Sequence, residues 1–184
     1  GPLPFTHVAG QYLNLALTID GKRVNRSYTI ASPPTRNAYC EISVKRAVDG
    51  YASVHLHETW TEGQRVKVSA PGGQFVFRGD EARRVLLIAG GIGITPMMAV
   101  LRSLTDRGWN GRIDLLFSVR AVRDVAFRDE LGYLQSRCSN LRVRILVAAD
   151  PDTAWDGPRG QITREVIADF VPNVVAARVL LCGP

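Results

Sequence analysis

The sequence predicts an antiparallel β-barrel over residues 1–80, followed by a doubly wound parallel sheet flanked by helices over residues 81–184. Three observations carry that prediction. Before residue 80, short stretches alternate polar with apolar side chains and are parted by Asp-Gly, Ser-Pro-Pro and Gly-Gly turn signals, as closely spaced antiparallel strands require. After residue 84, four apolar runs alternate with stretches of helical period, the pattern of parallel strands covered on both faces. The first of those runs passes directly into Gly90-Gly91-Ile92-Gly93-Ile94-Thr95-Pro96, so a strand, a glycine turn and a helix N-terminus succeed one another.

Within the first half, Leu13, Leu15 and Leu17 alternate with Asn14 and Ala16, which puts the leucines on one face of a strand over residues 11–18. Asp20-Gly21 then marks a turn. Residues 26–31 read as the next strand, stopped by Ser32-Pro33-Pro34. Residues 39–46 alternate again, Ile42 and Val44 against Ser43 and Lys45, up to the Asp49-Gly50 turn. A short helix is expected near Ser53, with that serine as its cap and Val54, Leu56 and Trp60 available for packing. Residues 65–69 form a last strand before the Gly- and Pro-rich turn at 70–74, and the polar stretch 79–84 separates the halves.

Residues 85–89 are apolar throughout, which describes a strand buried on both faces. Glycines let the backbone bend sharply and approach a ligand with no Cβ in the way. Thr95 is placed to cap the next helix and Pro96 to sit in its first turn, where a missing N–H costs nothing. Met97, Val100, Leu101 and Leu104 recur at helical spacing, and Gly108 is a natural stop. Strands at 113–118, 141–148 and 178–182 alternate with helices near 124–134 and 163–170. A helix N-terminus behind a glycine turn is a phosphate site. It departs from the G-x-G-x-x-G fingerprint, since Pro96 stands where the third glycine would be.

Composition narrows the function classes. With 46% hydrophobic and 22% charged residues, the 184-residue chain can bury a full core like an ordinary globular protein. The net charge of +6 comes from 23 Lys and Arg spread along the chain, which argues against a nucleic-acid surface and suits anionic small ligands or an acidic partner. Cys40, Cys138 and Cys182 are odd in number and lack C-x-x-C spacing, which argues against a zinc or iron–sulfur site and for reduced thiols in a cytoplasmic protein. His55 and His57, two apart on a helix, do not share a face, so no metal pair is expected there. No apolar run reaches the length of a membrane span, and no signal peptide opens the sequence.

Four short motifs occur in sequence: Arg26-Ser27-Tyr28-Thr29, Gly50-Tyr51-Ala52-Ser53, Gly90 to Pro96, and Cys182-Gly183-Pro184. In that order the chain resembles the ferredoxin–NADP reductase-like flavoprotein superfamily, in particular the NAD(P)H-dependent reductase modules of oxygenase and ferredoxin electron-transfer systems. The chemistry agrees with the residue types. Arg26 can fork onto a flavin phosphate, and Tyr28, on the same strand face, can lay its ring against the isoalloxazine. The resemblance implies that Thr29 serves the flavin N5 region beside Ser27. It also implies that Val44, Lys45, Gly50, Ala52 and Ser53 form a second flavin segment whose helix N-terminus receives phosphate. It makes Gly90, Gly91, Gly93, Thr95 and Pro96 the nicotinamide loop. Ser118 and Arg120 then lie at the carboxyl edge of the sheet. Cys182, Gly183 and Pro184 close the site, with Cys182 beside the nicotinamide. Tyr28, Thr29 and Cys182 are the residues nearest the reacting atoms.

The resemblance as a whole implies an FAD-dependent NAD(P)H oxidoreductase, with FMN as the less typical flavin. Hydride passes from NAD(P)H to the flavin, and electrons leave singly for an iron–sulfur, ferredoxin-type or oxygenase partner, separate or fused. Ala148-Ala149-Asp150 stands where NADPH-specific relatives carry a Ser-Arg pair, which favours NADH, although Arg120, Arg123 and Arg159 pull the other way. Relatives have a further strand before residues 11–18 and a helix and strand after Pro184, so the sequence is expected to be the core of a longer polypeptide, truncated at both ends. The alternative reading is a nucleotide-sensing or regulatory module with this fold and no turnover.

Overall fold

The computed structural model describes residues 2–150 and 155–184. Its first half is an antiparallel sheet of β1 (Tyr12–Ile19), β2 (Lys22–Thr29) and β3 (Lys67–Val68), in the order β2-β1-β3. Leu13, Leu15, Leu17 and Ile19 all point inward and are buried, as a period of two dictates. Asp20 and Gly21 both take positive φ, 49° and 73°, the signature of a two-residue type I′ turn. Pairing therefore starts at once, Ile19 opposite Lys22, and β2 begins four residues before the expected strand. The polar run 22–25 hid that extension, because it carries little apolar alternation.

Two other expectations are corrected here. Among the described residues, 39–46 form no ladder strand; they touch β2's continuation through an Ile30–Ile42 bridge and an Ala31 N–H donated to the Glu41 carbonyl at 2.7 Å. The helix α1 (Tyr51–Thr59) is capped by Gly50 without a side-chain bond, and Ser53 lies inside it. The Ser53 hydroxyl instead accepts from the Ala47 N–H at 3.2 Å and donates to the Gly50 carbonyl at 3.3 Å, tying the turn to the helix. Ala52 and Leu56 bury against the β1 leucines, each fully buried leucine contributing about 1.5–3 kcal/mol relative to exposure.

The second half is an all-parallel sheet of β4 (Arg84–Gly90), β5 (Arg112–Val119), β6 (Leu141–Val147) and β7 (Arg178–Cys182), in the order β6-β5-β4-β7. Helices α2 (Ile94–Asp106) and α3 (Arg128–Arg137) pack on the face carrying Leu87, Leu115 and Phe117. Helix α4 (Arg164–Phe170) packs on the face carrying Leu86, Leu116 and Leu146, so the sheet is covered on both sides. α2 ends in a Schellman motif: Gly108 at φ 62° donates to the Thr105 carbonyl and Trp109 to that of Leu104. α3 starts four residues later than the sequence predicts, because residues 122–124 form a single 3₁₀ turn and Phe127 takes φ 59°. Asp114 is wholly buried near the amino end of β5, held by the guanidinium groups of Arg84 and Arg142. Among the described residues no helix is long and apolar enough to cross a membrane, and no group of His, Cys, Asp or Glu could hold a metal ion.

Candidate functional site

The register of the sheet sets Gly90 opposite Ser118 on one side and Ala89 opposite Cys182 on the other. β4 is where strand order reverses, and ligands of such sheets sit at the carboxyl ends beside that point. Past Gly90 the chain makes one 3₁₀ turn, Gly91–Gly93, and enters α2 at Ile94. The cap is therefore Gly93 and not Thr95, whose hydroxyl, from within the helix, donates back to the Ile92 carbonyl at 3.1 Å. Pro96 still falls in the first turn, where it removes no bond.

Glycine is needed here for close approach. A Cβ on Gly93 would lie 2.2 Å from the Cys182 carbonyl oxygen, and one on Gly183 would lie 2.9 Å from the Gly90 Cα. The glycine turn and the end of β7 thus press backbone to backbone.

Two cavities open from this edge. One of about 580 Å³ lies between Ser27, Tyr28 and Thr29 of β2 and the glycine turn, with Lys45, Thr95 and Cys182 to Pro184 completing it. The other, about 690 Å³, shares Lys45 and Gly90–Gly91 and extends over Ser118, Arg120, Ala148 and Ala149. Among the described residues, Lys45 and Arg120 are its only charged lining groups and no carboxylate lines it. A larger cavity of about 740 Å³ lies elsewhere, between the end of α1 and β3, and contains none of the motif residues.

Most of the sequence-predicted residues are thereby brought together, but not all. Val44 lines an adjoining 330 Å³ cavity beside Ile92 and Phe127. Arg26 is exposed outside all of these, with Nη1 donating to the Asn25 carbonyl at 2.9 Å. Gly50 and Ser53 lie at the start of α1, Ala52 is part of the core, and Pro96 is buried in α2. Asp150 follows Ala149 in sequence but does not line the second cavity, its carboxylate accepting from the Val122 N–H at 3.0 Å.

Electrostatically the first cavity is quiet. Burial pushes the Tyr28 phenol above its usual range, opposed in part by the Arg26 charge. Burial likewise pushes the Cys182 thiol up. Both groups are neutral at pH 7, so neither is poised as base or nucleophile. The lining offers a flat tyrosine face, small neutral groups and exposed backbone, with Lys45 as its one cation among the described residues and Arg120 in the adjoining second cavity. Such a lining fits flat rings carrying phosphate tails.

Sequence reasoning missed the groups that join the two halves. Arg102 of α2 is 6% exposed, and its Nη1 donates to the Ala31 carbonyl at 2.9 Å and to Glu41 at 2.7 Å. Its Nε and Nη2 fork onto Glu130 of α3 at 2.6 Å each. One turn on, Asp106 accepts a fork from Arg36 and a bond from the Thr35 hydroxyl. Lys45 reaches Asp124 at 3.4 Å. A usable signal existed: Arg102 interrupts a helix otherwise apolar over residues 97–101, and a charge in that setting must find partners.

Comparisons with known proteins agree with this geometry. A family model described as an oxidoreductase FAD-binding domain matches residues 4–77, and one described as an oxidoreductase NAD-binding domain matches residues 87–184. The chain is 35% identical over 185 residues to the glycine betaine monooxygenase reductase subunit of Chromohalobacter salexigens, covering 100% of this chain and 50% of that protein. It is 35% identical over 184 residues to NADH-cytochrome b5 reductase 1 of Aspergillus terreus, covering 95% and 62%. Among solved structures it is similar to the FAD/NAD-binding domain of nitric oxide dioxygenase from Vibrio cholerae O1, with a TM-score of 0.88, 27% identity, and coverage of 100% of this chain and 77% of that one. The chain thus spans half to two-thirds of the length of the curated relatives it matches. With a NAD-binding model over more than half its length, an FAD-binding model over most of the rest, and the strand order to match, the chain belongs to the ferredoxin–NADP reductase-like flavoprotein superfamily.

Proposed function

We propose that the chain is the cofactor-binding core of an FAD-dependent oxidoreductase that takes reducing equivalents from NADH and passes them to an iron–sulfur, oxygenase or other one-electron partner. The observation that carries this is the 580 Å³ cavity shared by Tyr28 and Thr29 of the antiparallel half and by the glycine turn and Cys182 of the parallel half. We divide the chain accordingly into a flavin-binding part, 1–80, and a nucleotide-binding part, 81–184. When bound, FAD supplies the chemistry, accepting hydride at N5 from nicotinamide C4 and releasing electrons one at a time.

The chain's own residues bind and orient. Tyr28 would offer the flavin an uncharged face, and Thr29 a hydroxyl and an N–H to hold it. Arg26, Lys45 and the α1 start at Gly50 to Ser53 serve the flavin phosphates. The Gly90–Gly93 turn admits the nicotinamide dinucleotide against bare backbone, and Thr95 and the neutral thiol of Cys182 border the nicotinamide ring. Ser118 and Arg120 hold its ribose–phosphate side. No side chain need move a proton, and the chain's residues would act by binding and orienting the two cofactors. NADH is preferred because Asp150, beside Ala148 and Ala149, repels a 2′-phosphate. The relatives named as a monooxygenase reductase subunit and as an NADH-cytochrome b5 reductase support both the donor and the class of acceptor. Three free thiols suit the cytoplasm.

The test is the visible spectrum of the FAD-reconstituted chain before and after anaerobic NADH. A flavin spectrum that bleaches with NADH, and more slowly with NADPH, is expected. A protein that takes up neither FAD nor FMN would overturn the proposal and favour a nucleotide-sensing module.

A further inference from the structure

Resting on that reading of the cavity, we propose that Arg102 is a positioning residue for hydride transfer, fixing how closely the glycine turn approaches the Tyr28–Thr29 strand. Arg102 touches neither cavity. Its partners on the antiparallel side are the Ala31 carbonyl, three residues beyond Tyr28, and Glu41, whose chain leads two residues on to Ser43 and then Lys45. Those two segments are pinned to each other at the same place, through the Ala31–Glu41 backbone bond and the Ile30–Ile42 bridge. One guanidinium therefore grips both segments of the antiparallel half that reach the cavity.

On the other side Arg102 belongs to α2, whose first turn carries Thr95 and continues the glycine turn without interruption. From Ile94 to Arg102 is about 12 Å along a rigid helix, so a shift at Arg102 is delivered to the glycine turn. The guanidinium is also steadied from α3: Glu130 takes the fork, and the Phe127 ring lies 5.2 Å from the guanidinium carbon. Phe127 holds a left-handed backbone at φ 59°, which a bulky residue adopts only under constraint, and it lines the small cavity beside Lys45, Gly91 and Ile92. Arg102 thus connects three elements that border the site, with the orientation of every N–H it uses set by a planar fork.

The experiment uses the FAD-reconstituted chain and measures flavin reduction at saturating NADH by anaerobic stopped flow. Arg102→Met is expected to lower the limiting rate by about tenfold to a hundredfold with flavin content retained, because an ångström of misplacement costs that much. Arg102→Lys should recover part of the loss, since one ammonium can reach Glu41 but cannot also fork onto Glu130. Asp114→Asn, which disturbs a buried charge at the opposite end of the sheet, should keep the limiting rate of the unsubstituted chain. An Arg102→Met protein that is less stable but reduces its flavin at that same rate would overturn the proposal and leave Arg102 a purely structural tie. Should Arg102→Met not fold, Glu41→Gln decides in the same assay, a lowered rate supporting the proposal and an unchanged one overturning it. If the unsubstituted chain carries no reducible flavin, the proposed reaction fails and hydrogen exchange judges the clamp alone. Faster exchange at Ala31 and along α2 in Glu41→Gln would then support it, and unchanged exchange would overturn it.

Discussion

Gly93→Ala tests whether the glycine turn must lie against the end of β7. Gly93 has φ −60° and ψ −4°, an ordinary helical backbone, so alanine meets no conformational objection. The obstacle is space: the new methyl would stand 2.2 Å from the Cys182 carbonyl oxygen, 2.5 Å from its carbon and 2.9 Å from the Gly183 nitrogen. Ordinary contact begins near 3.4 Å, so the turn must retreat from β7 by about 1 Å or more, an overpacking cost of about 1–3 kcal/mol. For a chain of this length each kcal/mol lowers Tm by about 2–4 °C, which differential scanning fluorimetry resolves easily. Flavin reduction by NADH should fall by up to about a hundredfold, since the displaced atoms border the cavity. The colliding atoms are backbone, so Cys182→Ala in the same chain should bring no relief. Gly132→Ala in α3 supplies the contrast: nothing lies within 4 Å of that methyl, and a helical glycine replaced by alanine should gain about 0.5–1 kcal/mol. A Gly93→Ala protein with unchanged Tm and unchanged reduction rate would refute the close-approach reasoning.

Two further predictions concern titration. Burial holds the Cys182 thiol above its ordinary 9.0, so alkylation by iodoacetamide, read by peptide mass spectrometry, should be slow at pH 7, accelerate above pH 9 and be slowed by NADH. Rapid labelling at neutral pH would show a thiolate and contradict the neutral lining. Asp106 feels burial first, which raises its pKa, but the Arg36 fork and the Thr35 hydroxyl outweigh it and hold the carboxyl below 3.8. A depressed carboxyl contributes stability that is present above the ordinary value and is lost as pH falls through the folded one. Asp106→Asn should therefore cost about 0.5–1 kcal/mol at pH 7, the pair being partly exposed, and that difference should shrink in chemical denaturation as the pH is taken below the carboxyl's ordinary 3.8.

The parallel half was legible because its physics is local and repetitive. A strand buried on both faces is apolar, and 85–89 says so directly; 113–118 admits only the ion-paired Asp114 and Ser118, and 178–182 is apolar after Arg178, although only Leu180 of β7 is buried. The antiparallel half was harder. β2 extends through Lys22, Arg23 and Asn25 because the type I′ turn at Asp20-Gly21 dictates pairing, whatever the side chains beyond it. Residues 39–46 have the alternation of a strand, yet alternation only states which face is apolar; ladder bonds need a neighbour in register, and among the described residues a single bridge forms with β2's continuation. At the site, the glycines could be recognised as permissive but not assigned. Only the packing in three dimensions reveals that Gly93 is pressed against Cys182 while Gly91, two residues earlier, faces open space at φ 52°. The Thr95 cap failed for a similar reason, since the 3₁₀ turn had already begun the helix before it.

The joint between the halves also separates stability from function. Arg102 brings one positive charge into a nearly dry position and meets two carboxylates, Glu41 and Glu130, that remain about one-third exposed. Desolvating a guanidinium cancels much of the attraction it gains, so replacing a buried ion network by an apolar side chain is often neutral or even stabilising. Here the two acids left behind by Arg102→Met can turn to water, which removes the usual penalty of an orphaned buried charge. Apolar packing of Met against Phe127 offsets part of the rest. The main loss of stability is consequently that of the buried Ala31 carbonyl left without its donor, about 1–3 kcal/mol, while that carbonyl and Glu41 lose the tie to α2. A protein of modestly reduced stability with a disproportionately slowed hydride step is the expected combination. A protein that loses both in proportion would mean that the network contributes mainly to stability.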